Sequence, residues 1–368
     1  MKLDQVTIGI IGVGQIGKHH LETYLSMPNV RVAAIAGRAP QKTETVAREY
    51  AIPYWTTDYH TMLEREDVQA VSVCLHNNLH MPVSVAALQA GKHVFCEKPI
   101  AGSYQDGLQM IETAKIQNCL LSIQLSDLFS KETKAAQSAI TEGWLGKPYL
   151  AHSSGFRRRG RPFVDGYGTS SFVQKEMTGG GALMDVGVYH IANILYLLGN
   201  PQPLRISGRT FQETKMDTDR RTISNYDVEE LALGLISLEG NIAFTLIESW
   251  AMHIDQLEGS YLLGSEGGIR LNPFGLFRSL GDIDLNSTAD LDAFDFRLHH
   301  VREDGDAYDG PIQHFIAAIQ GRVPLIPTAE IALKTMLISE GIYLSQQLGR
   351  EVTEEEVRSN SQSNAHQP

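Results

Sequence analysis

The chain has 368 residues, 31 basic and 43 acidic side chains and a formal charge of −12, with 42% hydrophobic and 20% charged residues. That length suits about two domains with buried cores, and the composition excludes a disordered chain or a disulfide-stapled mini-protein. The acidic balance also argues against nucleic-acid binding, which needs a concentrated basic surface to displace counterions from phosphate.

From Val6 to Gln124, short β-branched runs alternate with longer helix-like segments, the rhythm of βαβ units and a parallel sheet. Strands are predicted over Val6–Ile11, Val30–Ala36, Ala70–Cys74, His93–Cys96 and Cys119–Gln124. Helices are predicted over Gln15–Ser26, Gln41–Tyr50, Met81–Ala90 and Gln105–Gln117, the third stopped by Gly91. After Ser126 the rhythm changes. A strand over Pro148–Ser154, a basic loop and a glycine run leading into a helix precede strands over Leu204–Phe211, Glu229–Leu238, Ile242–Trp250 and Ser260–Leu263. The lack of long helices between these strands predicts a mainly antiparallel sheet in an α+β domain. Helices over Pro311–Gln320 and Ala329–Gln347 close it. The expected fold is an α/β Rossmann domain over 1–125, an α+β domain with a large open sheet over 126–352, and a frayed polar tail over 353–368.

Cys74, Cys96 and Cys119 are scattered and form no CxxC pair, no apolar run nears the roughly 18 residues of a membrane span, and the opening residues lack a secretion-signal layout. A cytoplasmic protein with no membrane partner is expected. The pairs His19-His20 and His299-His300 lack metal-ligand spacing, since adjacent side chains diverge in helix or strand, so no metal is expected.

Gly12, Gly14 and Gly17 form a GxGxxG where the first strand meets the first helix, with Gln15 and Ile16 inside the motif. There, backbone glycines and free N–H groups cradle a dinucleotide pyrophosphate. About 20 residues on, the acidic residue that would bind the NAD ribose is absent, and Gly37-Arg38 stand instead. Losing the carboxylate removes repulsion toward a 2′-phosphate, and a guanidinium can bind that phosphate. NADP(H) is therefore the favoured cofactor, with NAD(H) second.

At the fifth strand the chain reads Glu97-Lys98-Pro99. Together with the glycine loop, "HNNLH", "AGKHVFCEKP", "GGGALMDVGVYH" and "FIAAIQGRVPLIPTAEIA", it resembles the Gfo/Idh/MocA oxidoreductases nearly end to end. The resemblance implies hydride transfer between a nicotinamide and a carbinol of a sugar, cyclitol or sugar derivative. It also implies a homodimer or homotetramer packed through the second sheet, and a Lys-Pro bond that is often cis. Lys98 matches the family's catalytic lysine. The family's second motif is usually Asp followed four residues later by His; here Tyr189 follows Asp185, as in some branches.

Asp185 and Tyr189, at i and i+4, share one helix face. His190 lies about 100° further round and is expected at the pocket wall. Lys98, Asp185 and Tyr189 are the expected catalytic set. Tyr189 is the first choice for the proton transfer: oxidation requires its pKa, about 10 when free, to fall by about 2–3 units, for which a lysine charge at about 4 Å supplies roughly 4 kcal/mol before desolvation, while reduction needs no shift. Lys98 polarises the substrate oxygen and Asp185 orients both; in an alternative, Lys98 itself shuttles the proton.

Leu75, Asn77 and His80, after the fourth strand, and Glu97 are expected near the cofactor. Asn77 matches a family position near the nicotinamide ribose, while His80 caps or packs locally. Lys175 ranks first as a further substrate contact; the basic run Arg157, Arg158, Arg159 and Arg161 reads first as a solvated loop or subunit contact, with Arg157 the candidate for an anionic substrate group. Two rival functions are a recycling enzyme with tightly held nicotinamide and a non-catalytic dinucleotide-binding regulator.

Overall fold

A computed structural model of the chain describes residues 5–366. In the first unit, β1 (Val6–Ile11), β2 (Val30–Ala36), β3 (Tyr54–Thr56), β4 (Ala70–Val73), β5 (His93–Cys96) and β6 (Leu121–Ile123) run parallel in the order β3-β2-β1-β4-β5-β6. Every residue of β1 and β4 is buried, as in strands covered by helices on both faces. The helices are α1 (Gln15–Leu25), α2 (Pro40–Glu49), α3 (Tyr59–Leu63), α4 (Asn77–Gln89) and α5 (Tyr104–Ile116). All predicted elements of this half form. β3 and α3 go beyond the prediction because neither is long enough to display a period. The strand order reverses between β1 and β4, so a ligand crevice opens at their carboxyl ends.

The second unit is built on β7 (Pro148–Phe156), β8 (Pro203–Phe211), β9 (Leu231–Leu238), β10 (Ile242–Ser249), β11 (Tyr261–Gly264), β12 (Gly268–Arg270), β13 (Gly275–Leu280), β14 (Ile283–Ser287) and β15 (Val352–Thr353). These form a nine-stranded sheet in the order β14-β13-β12-β11-β7-β10-β9-β8-β15. The β7–β10 pair is parallel and the rest are antiparallel. The helices are α6 (Lys131–Thr141), α7 (Lys175–Thr178), α8 (Val188–Leu197), α9 (Thr218–Ser224), α10 (Leu291–Val301), α11 (Pro311–Ile319), α12 (Thr328–Leu348) and α13 (Glu354–Asn360). α12 covers one face of the sheet, its Ile342 seated against Gly208 and Gly234. No helix among the described residues is long and apolar enough to cross a membrane.

Two boundaries differ from expectation. The segment 126–352 does not stay in the second unit: Ile312, Phe315 and Ile316 of α11 join the core formed by Val6, Ile8, Ile10 and Phe95. The Phe95 and Phe315 rings lie 5.5 Å apart, and Thr328 Oγ1 accepts from the Ile123 N–H of β6 at 2.9 Å. The first sheet needs an apolar cover, and α11 supplies it from the far end of the sequence.

The expected frayed tail is also corrected. β15 pairs with β8, and Thr353 and Glu356 form a capping box at the start of α13. Beyond it, Asn364 N–H donates to Asp106 Oδ2 at 3.1 Å and His366 N–H to the Asn78 carbonyl at 3.0 Å. Caps and backbone bonds hold this segment, with Val357 the buried residue of α13, so it lacks the apolar period that marks a packed helix. Residues 367–368 of the predicted tail lie outside the described residues.

Candidate active site

The glycine loop divides its glycines by task. A Cβ on Gly12, whose φ is +101°, would stand 2.2 Å from the Cys74 carbonyl, and one on Gly17 would stand 1.8 Å from the Gly12 carbonyl. The protein alone therefore demands these two. Gly14 has an ordinary φ of −75°, and its Cβ would meet nothing within 4 Å. The space kept there, beside the α1 N-terminus that no side chain caps, fits a pyrophosphate approaching the backbone of Gln15 and Ile16. At the end of β2, Gly37 packs against Val13 and Thr43, while Arg38 is exposed and has no ion-pair partner among the described residues. Its charge, after burial, depresses the pKa of His76 across the crevice. These features fit NAD(P), whose pyrophosphate this loop would hold.

Lys98 follows β5, and its bond to Pro99 is cis. Its Nζ donates to Asp185 Oδ1 and to the Asp185 carbonyl, both at 2.8 Å, and lies 4.9 Å from the centre of the Tyr189 ring. Trp250 Nε1 donates to Asp185 Oδ2 at 2.9 Å, and Arg157 stands 3.9 Å from the same oxygen. Burial opposes both charges of the pair, yet each holds the other: Lys98 sits above the usual lysine pKa and Asp185 below the usual aspartate value. The three expected catalytic side chains thus meet, contributed by both units.

Asp185 falls within a π turn over Leu183–Gly187 that runs into α8. The wider turn reduces rotation per residue, bringing Tyr189 round over Asp185 and carrying His190 less far past them than a regular helix would. At Tyr189 burial outweighs the lysine charge. Burial pushes its pKa up to about 12, and the opposing Lys98 ammonium lies over the ring face, engaged with Asp185. In this state Tyr189 keeps its proton, and its hydroxyl has no protein partner among the described residues.

His190 Nδ1 is 2.8 Å from Glu248 Oε2, and Ser153 donates to Glu248 Oε1 at 2.6 Å. Burial disfavours the histidine charge, but Glu248 raises its pKa to about 9.

Other expected residues separate. His80 is fully buried, with Nδ1 on the Pro99 carbonyl at 2.8 Å and Nε2 3.1 Å from the Leu75 carbonyl, so the ring braces the loop that carries Lys98 rather than facing a ligand. Glu97 is likewise turned to protein. Its Oε1 lies 2.8 Å from His20 Nε2, and its Oε2 accepts from Lys98 N–H at 3.1 Å. Leu75 packs partly into the core. Asn77 spends its amide on the Thr178 carbonyl at 2.9 Å, tying α4 to α7. Lys175 is exposed, 5.8 Å above the Tyr343 ring, and touches none of the Lys98 cluster. In the basic run Arg161 is wholly buried between Asp165 at 2.9 Å and Glu230 at 3.0 Å, pinning the loop, and Arg157 alone reaches Asp185. Trp250, Glu248, Ser153 and Tyr167, which bonds to Arg157, were not expected. A charge at the inward-facing position two residues after Leu246 was the readable sign of Glu248.

A Rossmann crevice beside a lysine, a carboxylate and a tyrosine defines a nicotinamide-dependent oxidoreductase, and the comparisons agree. The signature of an oxidoreductase family with an NAD-binding Rossmann fold matches residues 6–125, and that of the GFO/IDH/MocA C-terminal domain matches residues 133–270. The chain belongs to the Gfo/Idh/MocA oxidoreductases. It is 26% identical to D-glucoside 3-dehydrogenase of Escherichia coli (strain K12) over 362 residues, covering 96% of this chain and 98% of that one. It is 25% identical to the NADP(+) scyllo-inositol 2-dehydrogenase of Bacillus subtilis (strain 168), covering 62% and 69%. The fold also matches a levoglucosan dehydrogenase solved with NADH and levoglucosan, with a TM-score of 0.77 at 18% identity over 95% of this chain and 99% of that one.

Proposed function

We propose that this protein transfers hydride between NADP(H) and a secondary carbinol of a neutral polyol, a sugar or cyclitol. The observation that carries the reading is the meeting of Lys98, Asp185 and Tyr189 at the carboxyl end of β5. A non-catalytic regulator would have no need to keep that set together. When bound, the nicotinamide takes the hydride from the carbinol carbon or returns it.

The chain's own residues handle the proton and the charge. Asp185 fixes the Lys98 ammonium, and Trp250 fixes Asp185. Lys98 stabilises negative charge growing on the substrate oxygen. Tyr189, protonated at neutral pH, gives its proton to that oxygen during reduction and recovers it during oxidation. The unpaired guanidinium of Arg38 supports NADP(H) over NAD(H). The names of the two curated relatives, a glucoside and an inositol dehydrogenase, support the polyol class.

The bare face of the nine-stranded sheet, where Leu235 is 53% exposed beside Thr245, His152 and Tyr261, is the surface through which copies would pair. Three free cysteines accord with a reducing cytosol.

The test screens purified protein with NADP and NAD against sugars, cyclitols and glycosides, following reduced nicotinamide by absorbance. Turnover with a polyol and NADP is expected; a folded protein that reduces neither cofactor with any of them overturns the reading. Nicotinamide released only on denaturation would instead favour the recycling enzyme.

A further inference from the structure

β7 contains a glycine, Gly155, without a positive φ, in an interior strand where a β-branched residue would pair more strongly. A Cβ there would lie 2.1 Å from His190 Cε1 and 2.5 Å from Glu248 Oε2. The glycine keeps a slot open for the histidine ring. Gly187, in the π turn, lies above the stem of the same glutamate, its Cβ position 3.2 Å from Glu248 Cγ.

Glu248 is wholly buried, and a buried carboxylate needs donors. Ser153 and His190 Nδ1–H supply them. That bond fixes which nitrogen faces inward and leaves Nε2 on the other side of the ring. Nε2 has no protein partner among the described residues, and 31% of the side chain is open to solvent. A histidine kept only for packing would need no reserved slot, and both its nitrogens would be satisfied, as those of His314 are by the Ala307 carbonyl and the Ile326 N–H.

Resting on the proposed polyol reading, we propose that His190 contacts substrate, donating Nε2–H to a polyol oxygen while Lys98 and Tyr189 address the reacting carbinol. The groups that act on it are Glu248 from β10, Asp127 from the turn after β6, and Arg157 from the loop after β7; Tyr189 precedes it on α8 and Asp185 lies in the π turn before that. Burial and Arg157 oppose the ring's charge, and Glu248 and Asp127 hold it. The donor is therefore charged across the neutral range and lost only on the alkaline side.

The test compares wild type, His190→Asn and Glu248→Gln with NADP and a panel built on myo-inositol and methyl D-glucoside. His190→Asn is expected to raise the polyol KM at least tenfold while the NADP dissociation constant, read by fluorescence, stays within twofold. Glu248→Gln is expected to shift the alkaline limb of kcat/KM down by at least one pH unit. The NMR signal of the wild-type His190 ring, identified by its absence in His190→Asn, should move on saturation with the polyol turned over. A KM within twofold of wild type in His190→Asn, an unmoved limb in folded Glu248→Gln, or an unmoved ring signal each overturns the proposal. A wild type that turns over no polyol refutes the proposed function itself, whereas turnover that persists unchanged in His190→Asn refutes this inference alone.

Discussion

Lys98 of the first unit donates to both the side chain and the main-chain carbonyl of Asp185 in the second, each at 2.8 Å, so one ammonium joins the cofactor-side loop to the π turn. Lys98→Met removes the charge that stabilises the substrate oxygen and leaves Asp185 with Trp250 and the more distant Arg157. Turnover should fall by roughly 10²–10⁴-fold. Stability should fall by about 1–3 kcal/mol, since the partly solvated pair loses one member. Adding Asp185→Asn should bring little further loss in either, because the two residues act together. Kinetics and thermal unfolding of both singles and the double check this; additive losses would separate the pair.

Tyr189 holds its proton with a pKa of about 12. Oxidation needs the phenolate or its equivalent, so kcat at saturating polyol, unlike kcat/KM with its His190 limb, should climb from about pH 7 to pH 10 without a plateau, while reduction should stay flat or decline. Tyr189→Phe should lower reduction at neutral pH by about 10²-fold or more. Near-normal turnover in that variant would assign the proton to Lys98. Pre-steady-state rates in both directions decide between them.

The glycine loop separates cleanly by mutation. Gly14→Ala meets no protein atom, so the variant should unfold within about 0.5 kcal/mol of wild type yet bind NADP at least tenfold more weakly. Gly17→Ala collides with the Gly12 carbonyl and should fail to fold or lose several kcal/mol. Isothermal titration and denaturant melts read the two effects, and full NADP affinity in Gly14→Ala would place the pyrophosphate elsewhere.

Arg38→Ala should weaken NADP binding by roughly 10–100-fold, the worth of charge-assisted bonds to a phosphate, and leave NAD binding within about twofold. Equal NADP affinity in both proteins would remove the 2′-phosphate from Arg38.

The His190–Glu248 pair makes stability depend on pH with a definite sign. The folded pKa is about 9, and an unfolded histidine titrates near about 6.5. Its contribution is therefore complete below about pH 6.5 and lost as pH rises through about 9. With the ring partly open to solvent, the size is on the order of 2 kcal/mol. Chemical denaturation at pH 6 and pH 10 should show that decline in wild type and not in Glu248→Gln.

β1 and β4 could be read from the sequence because they are buried along their whole length and so are dominated by apolar and small residues, whereas β3, three residues long and partly exposed, could not. The meeting of Lys98 with Asp185 was legible through two local motifs 87 residues apart. What stayed hidden was long-range or slightly irregular. A π turn leaves no period of its own, so the placement of His190 could be reckoned only on a regular helix. The Glu248 partner lies 58 residues from His190, and nothing local announces the pairing. The acidity of Tyr189 depends on its burial and on where the lysine charge sits relative to its hydroxyl, which spacing does not encode.

The return of α11 to the first sheet makes the nucleotide-binding half incomplete as a module. Cut out at residue 125, it would bare Phe95, Ile8 and Ile10 where Phe315, Ile312 and Ile316 now rest. A chimera that borrows this half from a relative must therefore import the matching helix near the other end of the gene, or redesign that contact.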